Sequence, residues 1–366
     1  MKLLVIEPFY TGSHKQWLDG LVKHVGLEIT TITLPGKLWK WRTESSAFRI
    51  AEKYLALNTQ FDCILCSGFF NLAVFKSFVL KEKAKIAPCY MYMHENQISY
   101  PWSGTDPDPA LRRDQHYGFI DLMNVFLADK VFFNSHFHRN SFLQALPDFT
   151  NQFPEDYFSK RLHELDSKSS VLPIGLELEQ FKVSDFKTNT NPIILWNHRW
   201  EYDKNPELFF QSLFELKEEG TRFKLIVLGE RYKNSPDIFN EAEIKLAEEI
   251  IHFGYAKSRE VYCRMLKQAD ILPVTSKHDF FGISVVEAIA ASCVPLLPLD
   301  LSYPEHISHD NYPELFYHDP KDYLPKLRTL LKTYKNHKDL NTNIMKYDWQ
   351  NLKMMYSQAL EQTNPM

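Results

Sequence analysis

Short apolar runs with strand composition alternate along the whole chain with longer stretches of helical period, and that alternation admits few folds beyond parallel sheets covered by helices. The first series of strands is predicted at 3–7, 29–34, 63–67, 86–93, 130–134 and 171–174. The second is predicted at 193–197, 223–228, 250–253, 271–274 and 294–298, with helices at 207–219, 259–268 and 283–292 between and beside them. Two successive series mean two doubly wound α/β domains rather than one barrel. A polar, turn-rich stretch at 182–192 separates them, and 149–170 reads as an irregular surface insertion. The expected division is 1–181 for the first Rossmann-like domain, 182–345 for the second, and 346–366 for a final helix returning to the first.

Length agrees with this, since 366 residues exceed one ordinary core. A net charge of −4 rules out a wholly basic nucleic-acid clamp, so any polyanion must be met by a local patch. The opening run Leu3-Leu4-Val5-Ile6 is too short for a signal peptide and is broken by Glu7, and no stretch reaches membrane-span length. The expectation is a cytoplasmic, reduced protein without a membrane partner. The five cysteines lie in apolar segments; Cys63 and Cys66 form a C-x-x-C inside a predicted strand, with no second pair to complete a zinc site.

Ligands of open α/β sheets collect at the carboxyl ends of strands, which singles out the residues following each strand. After 271–274 comes Ser276-Lys277-His278-Asp279-Phe280-Phe281-Gly282-Ile283, then an apolar helix carrying Glu287. The free N–H groups of a helix start, bordered by Phe281, Gly282 and Ile283, form an anion site suited to a diphosphate. A capped helix behind a polar loop would look the same. After 193–197 comes His198-Arg199-Trp200-Glu201-Tyr202-Asp203-Lys204, where a bidentate Arg and a point-charge Lys can converge on one anion.

These segments resemble the retaining glycosyltransferases of the GT-B fold, family four, whose two Rossmann-like domains face each other across a cleft. Arg199 and Lys204 match that family's Arg…Lys pair, and Asp279 with Glu287 matches its E-x7-E motif with a shorter carboxylate in first place. The interdomain strand is similar to Val171-Leu172-Pro173-Ile174-Gly175. The resemblance implies that Arg199 and Lys204 hold the nucleotide diphosphate, Asp279 the donor sugar and Glu287 the ribose. His94 joins Arg199, Lys204 and Asp279 in the catalytic set on its own residues: it ends an apolar strand ahead of Glu95 and Asn96, where it can hydrogen-bond a sugar hydroxyl or assist proton movement, although a lone His is more often structural. No D-x-D motif is placed for a diphosphate, so no essential metal is expected, and no cofactor beyond the sugar-nucleotide substrate. Asp106-Pro107-Asp108 has the spacing of a metal motif, but turn chemistry explains it better.

The first domain narrows the resemblance. Glu7-Pro8-Phe9-Tyr10-Thr11-Gly12-Ser13-His14, Leu34-Pro35-Gly36-Lys37-Leu38-Trp39-Lys40-Trp41-Arg42 and Tyr92-Met93-His94-Glu95-Asn96 are similar to a subgroup that moves mannose from GDP-mannose to queuosine in a tRNA anticodon. Gly12 then lies at the donor. His14, Glu95 and Asn96, with the predicted loop of Lys37, Trp39, Lys40, Trp41 and Arg42, face the acceptor, as a phosphate-contacting and base-stacking surface would. An amphipathic loop with its tryptophans turned inward fits those five residues equally. Rival readings are a hexosyltransferase acting on a glycan or small metabolite, and an inactive nucleotide-sugar or RNA-binding module. Oligomeric state is left open.

Overall fold

A computed structural model of the chain describes residues 1–104, 106–111, 113–155, 158–183, 189–232, 235–337 and 339–361. Much of the predicted linker 182–192 therefore lies outside the described residues.

The chain forms two compact units, Met1–Leu176 with Trp349–Met366, and Glu177–Asp348. These boundaries replace the expected 181/182 and 345/346. The first unit contains β1 (Lys2–Tyr10), β2 (Glu28–Pro35), β3 (Cys63–Ser67), β4 (Cys89–Met93), β5 (Lys130–Phe133) and β6 (Ser169–Val171). Its helices are α1 (Gly12–His24), α2 (Trp39–Leu55), α3 (Leu72–Glu82), α4 (Gln115–Leu127), α5 (His136–Thr150) and α6 (Leu162–Ser167). The second unit contains β7 (Ile193–Trp196), β8 (Lys224–Leu228), β9 (Ile250–Gly254), β10 (Ile271–Pro273), β11 (Val294–Pro298) and β12 (Phe316–Tyr317). Helices α7 (Pro206–Glu218), α8 (Ile238–Lys245), α9 (Arg259–Gln268), α10 (Ile283–Ala290), α11 (Tyr303–His306), α12 (Pro320–Thr333) and α13 (Asn341–Ile344) cover it. Last comes α14 (Trp349–Glu361), which belongs to the first unit.

Both sheets are parallel, ordered β2-β1-β3-β4-β5-β6 and β12-β11-β10-β7-β8-β9. Strand order reverses beside β1 in one and beside β7 in the other, and a crevice for ligands forms outside the carboxyl ends at such a reversal. The central strands are buried on both faces, which is why they read as unbroken apolar runs.

Three expectations need correction. The segment 149–170 is not a surface insertion: Phe149 and Leu165 belong to the first core, and Phe153, Phe158 and Leu162 pack against it. The strand expected at 171–174 lies earlier, because Ser169–Val171 pairs with Val131–Phe133. Lys37–Arg42 is not a loop: Leu38 takes a left-handed conformation (φ 53°) and α2 starts at Trp39, since Trp39 packs on Phe69 and Tyr117 and anchors the first turn.

The final helix is tied in by Tyr356, whose hydroxyl accepts from the Trp17 indole at 3.0 Å and donates to the Pro173 carbonyl at 2.8 Å. Trp349 lies so close to Gly20 and Gly175 that a Cβ at either would come within 2.4 Å of its ring. Only glycine fits there. All five cysteines are buried free thiols, and burial pushes Cys66 well above its ordinary value.

Candidate functional site

In the second unit the residues at the strand reversal meet. Trp196 ends β7, and its indole donates to the His198 carbonyl at 3.0 Å, folding the loop back over the strand. The Asn197 amide donates to the Ser284 carbonyl at 2.8 Å, and His198 Nδ1 meets the Ser284 hydroxyl at 3.0 Å, so this loop is fastened to the first turn of α10. A 3-10 turn then carries the chain to Lys204; Asn205 follows at φ 51°, and Pro206 opens α7 where its missing N–H costs nothing.

Lys204 is buried. Its ammonium donates to the His278 carbonyl at 2.7 Å and lies 3.0 Å from Asp203 and 3.5 Å from Asp279. Burial raises the Asp279 carboxyl, but Lys204, His198 and the Tyr303 hydroxyl outweigh it and hold the group below its ordinary range. Burial and the neighbouring ammonium push His198 and His278 down to about 4, so both are neutral at physiological pH. His198 Nε2 and Asn197 Oδ1 are buried without a hydrogen-bond partner among the described residues, as atoms awaiting a polar ligand would be.

Gly282 adopts φ 78° and precedes α10 with no side-chain cap, leaving the helix start to whatever anion approaches it. Phe281 contributes only backbone there: its ring is buried against His306 and Tyr347. Ile283 is half-buried.

Arg199 and Lys204 were expected to converge on one anion; here Arg199 pairs with Glu201, and Lys204 with Asp203 and Asp279. Arg199 stays largely exposed and pairs with Glu201 at 3.1 Å. Together Arg199, Lys204, Glu201, Asp203 and Asp279 make two cations against three carboxylates, so this cluster has no spare positive charge without a ligand. Glu287 is likewise engaged, by Arg259 on one oxygen and the Tyr262 hydroxyl (2.8 Å) on the other. A ribose would have to share those oxygens. Arg259 also borders a groove of about 440 Å³ that takes Arg264 and Lys267 from the same helix.

In the first unit Gly12 opens α1 at φ 51° with open space where a side chain would lie. Behind it Glu7 of β1, His14 of α1 and His94 at the end of β4 come together; His14 Nδ1 is 3.1 Å and His94 Nε2 3.9 Å from the same Glu7 oxygen. Among the described residues these three form the one group whose ligand atoms lie within 4.8 Å of one another, as a metal would require. Sequence reasoning gave Glu7 no role. Its signal was an acid inside an otherwise apolar, buried strand.

The expected acceptor residues are divided. Asn96 is buried and turned to its own loop: its carbonyl accepts from the Ile98 and Ser99 N–H groups at 3.0 and 2.8 Å, and its amide donates to Ser99 Oγ at 3.0 Å, so it shapes the turn. Glu95 accepts from Gln97 at 2.9 Å. Lys40 is gripped by Asp106 (2.7 Å) and Asp108 (2.5 Å), which neutralise the charge expected for a phosphate. Arg42 donates to the Pro35 carbonyl at 2.9 Å. Lys37 and Trp41 are exposed, Trp41 at 65%.

Residues 2–176 match the family described as tRNA-queuosine alpha-mannosyltransferase N-terminal, and 179–347 match glycosyl transferases group 1. A tRNA-queuosine alpha-mannosyltransferase of Drosophila melanogaster is 33% identical over 323 residues, covering 84% of this chain and 82% of that one. A GDP-mannose:cellobiosyl-diphosphopolyprenol alpha-mannosyltransferase of Xanthomonas campestris is 21% identical over about half of each chain. Among solved structures, sucrose-phosphate synthase from Thermosynechococcus elongatus matches with a TM-score of 0.70 at 12% identity over 98% of both chains, a likeness of fold. No helix of the described residues is long and apolar enough to cross a membrane. With its two parallel six-stranded sheets on the GT-B plan, and with a relative a third identical over most of its length, the chain belongs to the tRNA-queuosine alpha-mannosyltransferase family of glycosyltransferases.

Proposed function

We propose that the chain transfers mannose from GDP-mannose to the queuosine base of a tRNA, with retention of configuration, in the cytoplasm. The observation that carries the transferase reading is the buried Lys204 beside Asp279, fastened to the uncapped start of α10 at the strand reversal of the second sheet. A sugar-nucleotide diphosphate binds there by displacing Asp203 and Asp279 from the ammonium and by taking the N–H groups of α10. Developing charge on the leaving diphosphate is then met by preorganised donors. On this reading the diphosphate accepts the acceptor's proton on the same face of the sugar, and Arg199, drawn from Glu201, adds a second cation. The donor and acceptor named here follow those of the relatives.

Turnover is proposed to need no divalent ion. The test is to incubate the chain with several sugar nucleotides and queuosine-containing tRNA, with and without excess chelator, and to weigh the digested nucleosides. Mass gain of one hexose only with GDP-mannose, unaffected by chelator, is the expected result. Turnover on a free saccharide with no gain on tRNA would overturn the acceptor, and loss of activity restored by magnesium would overturn metal independence.

A further inference from the structure

Glu287 lies on α10 with 3% of its surface exposed, where an unpaired carboxylate would be strongly disfavoured. One oxygen accepts from the Arg259 guanidinium and the other from the Tyr262 hydroxyl at 2.8 Å. Arg259 and Tyr262 are three residues apart on α9 and so project from one side of it. The guanidinium is held in its turn, over the Phe181 and Tyr262 rings at 4.9 and 5.1 Å from their centroids. The Tyr262 hydroxyl accepts from the Asn197 amide at 3.4 Å, and the same amide donates to the Ser284 carbonyl at 2.8 Å. This ties the holder of Glu287 to the loop that leads to Lys204.

We propose that Arg259, with Tyr262, is a positioning residue for the donor nucleotide: the pair fixes the Glu287 carboxylate so that two neighbouring ribose hydroxyls find one free acceptor site on each oxygen. The assignment of Glu287 to a ribose rests on the transferase reading above. A carboxylate has about two acceptor sites on each oxygen, and one on each is taken here. A carboxylate oriented before the nucleotide arrives spares binding the cost of ordering it. Charge alone does not achieve this. A lysine ammonium would neutralise Glu287 but neither stacks nor forks, whereas the planar guanidinium, resting on two rings, fixes direction together with charge.

The opposite arrangement would be competition, in which Arg259 occupies oxygens that the ribose needs. The guanidinium and the Tyr262 hydroxyl hold different oxygens and leave each half-used, so the geometry favours positioning.

The test is calorimetry of the full chain with GDP and with 2′-deoxy-GDP, beside donor KM and kcat, in wild type, Arg259→Ala, Arg259→Lys and Tyr262→Phe. Wild type should prefer GDP by about tenfold, the worth of a hydrogen bond to a charged group. Arg259→Ala should cut that preference to about twofold by weakening GDP more than 2′-deoxy-GDP, with donor KM raised about tenfold and kcat lowered by less. Arg259→Lys keeps the charge and should recover only part of the preference. Tyr262→Phe keeps the ring beside the guanidinium and should lose a smaller share of the preference; it decides the matter if Arg259→Ala does not fold. A preference undiminished in every variant, or GDP bound more tightly by Arg259→Ala, overturns the proposal and leaves Glu287 its ribose. Equal affinity of wild type for the two nucleotides sinks the ribose assignment and the proposal with it. Absence of transfer from every sugar nucleotide, with the preference and its loss in the variants intact, sinks the transferase reading and leaves Arg259 a positioning residue.

Discussion

At the carboxyl ends of the second sheet a primary amine, Lys204, stands among two carboxylates; at the same ends of the first sheet one carboxylate, Glu7, stands beside two imidazoles. The two arrangements are opposite in the sign of the central charge and in the kind of partner around it. The second unit holds a buried ammonium whose carboxylate partners an incoming diphosphate can replace. The first unit holds a buried carboxylate beside two buried imidazoles, His14 raised above its ordinary value by Glu7 against burial and His94 held well below it by burial. A cation shared with carboxylates suits an anionic leaving group, and imidazoles, which can both donate and accept, suit hydroxyls.

The hardest blow to this contrast would be dealt at Lys204. Lys204→Ala should lower kcat/KM by about 10²–10³-fold, the roughly 2–4 kcal/mol typical of a lost transition-state donor. It should also lower the melting temperature, because the buried Asp203 and the half-buried Asp279 are left without their cation. Arg199→Ala should fall in the same range of rate but spare the fold, since that side chain is exposed. Turnover near wild type in Lys204→Ala would make the amine purely structural and dissolve the comparison.

A second test removes the cation at Glu287. Arg259→Ala leaves a nearly fully buried carboxylate with only Tyr262, and should cost about 2–3 kcal/mol, less than a wholly buried pair because a third of the Arg259 side chain is exposed. Hydrogen exchange should show the loss within the second unit; uniform exchange in both units would contradict it.

Acid separates the units more gently. His198, His278 and His306, all in the second unit, are held down to about 4, so the unfolded chain binds more protons between pH 6.5 and 4 and this unit loses stability as pH falls through that window. In the first unit His94 acts in the same direction, but Asp121, raised to about 7 by burial, acts oppositely: its stability is fully present below 3.8 and is lost as pH rises toward 7. At pH 5 the second unit should therefore have lost more stability than the first. Exchange rates of peptides from each unit, compared at pH 5 and 7, measure the difference. Equal losses would show that the two sets of buried groups are balanced.

The smallest effects are expected around the start of α2. Lys37→Ala and Trp41→Ala should weaken tRNA binding a few-fold, with the Lys37 change lowering the slope of log affinity against log salt by about one. Lys40→Ala should instead act on stability, since it frees Asp106 and Asp108. A salt slope that responds to Lys40 and not to Lys37 would reverse these assignments.

The sheets were legible because parallel strands buried on both faces leave continuous apolar runs such as Cys63–Ser67 and Val294–Pro298. The strand-end loops around Lys204 and Gly282 were legible because their residue types recur as a pattern. The start of α2 was hidden by Lys37, Trp39, Lys40 and Trp41, whose mixed polarity conceals a helix that only Phe69 and Tyr117 reveal. Pairings over long separations left no local trace. Arg259 meets Glu287, Lys40 meets Asp106, and Glu7 meets His94 only after the chain has folded.

The lodging of Trp349 against Gly20 and Gly175 bears on the order of events during synthesis. A ribosome delivers β1 to β6 early, yet the partner of the Trp17 indole, Tyr356, emerges only after the whole second unit has been made. The first unit must wait half-closed for some 170 residues, with an apolar furrow along α1 open to chaperones or to its neighbours on a polysome. A stop codon shortly before Trp349 would therefore damage the half of the protein encoded first and leave the more recently translated half whole.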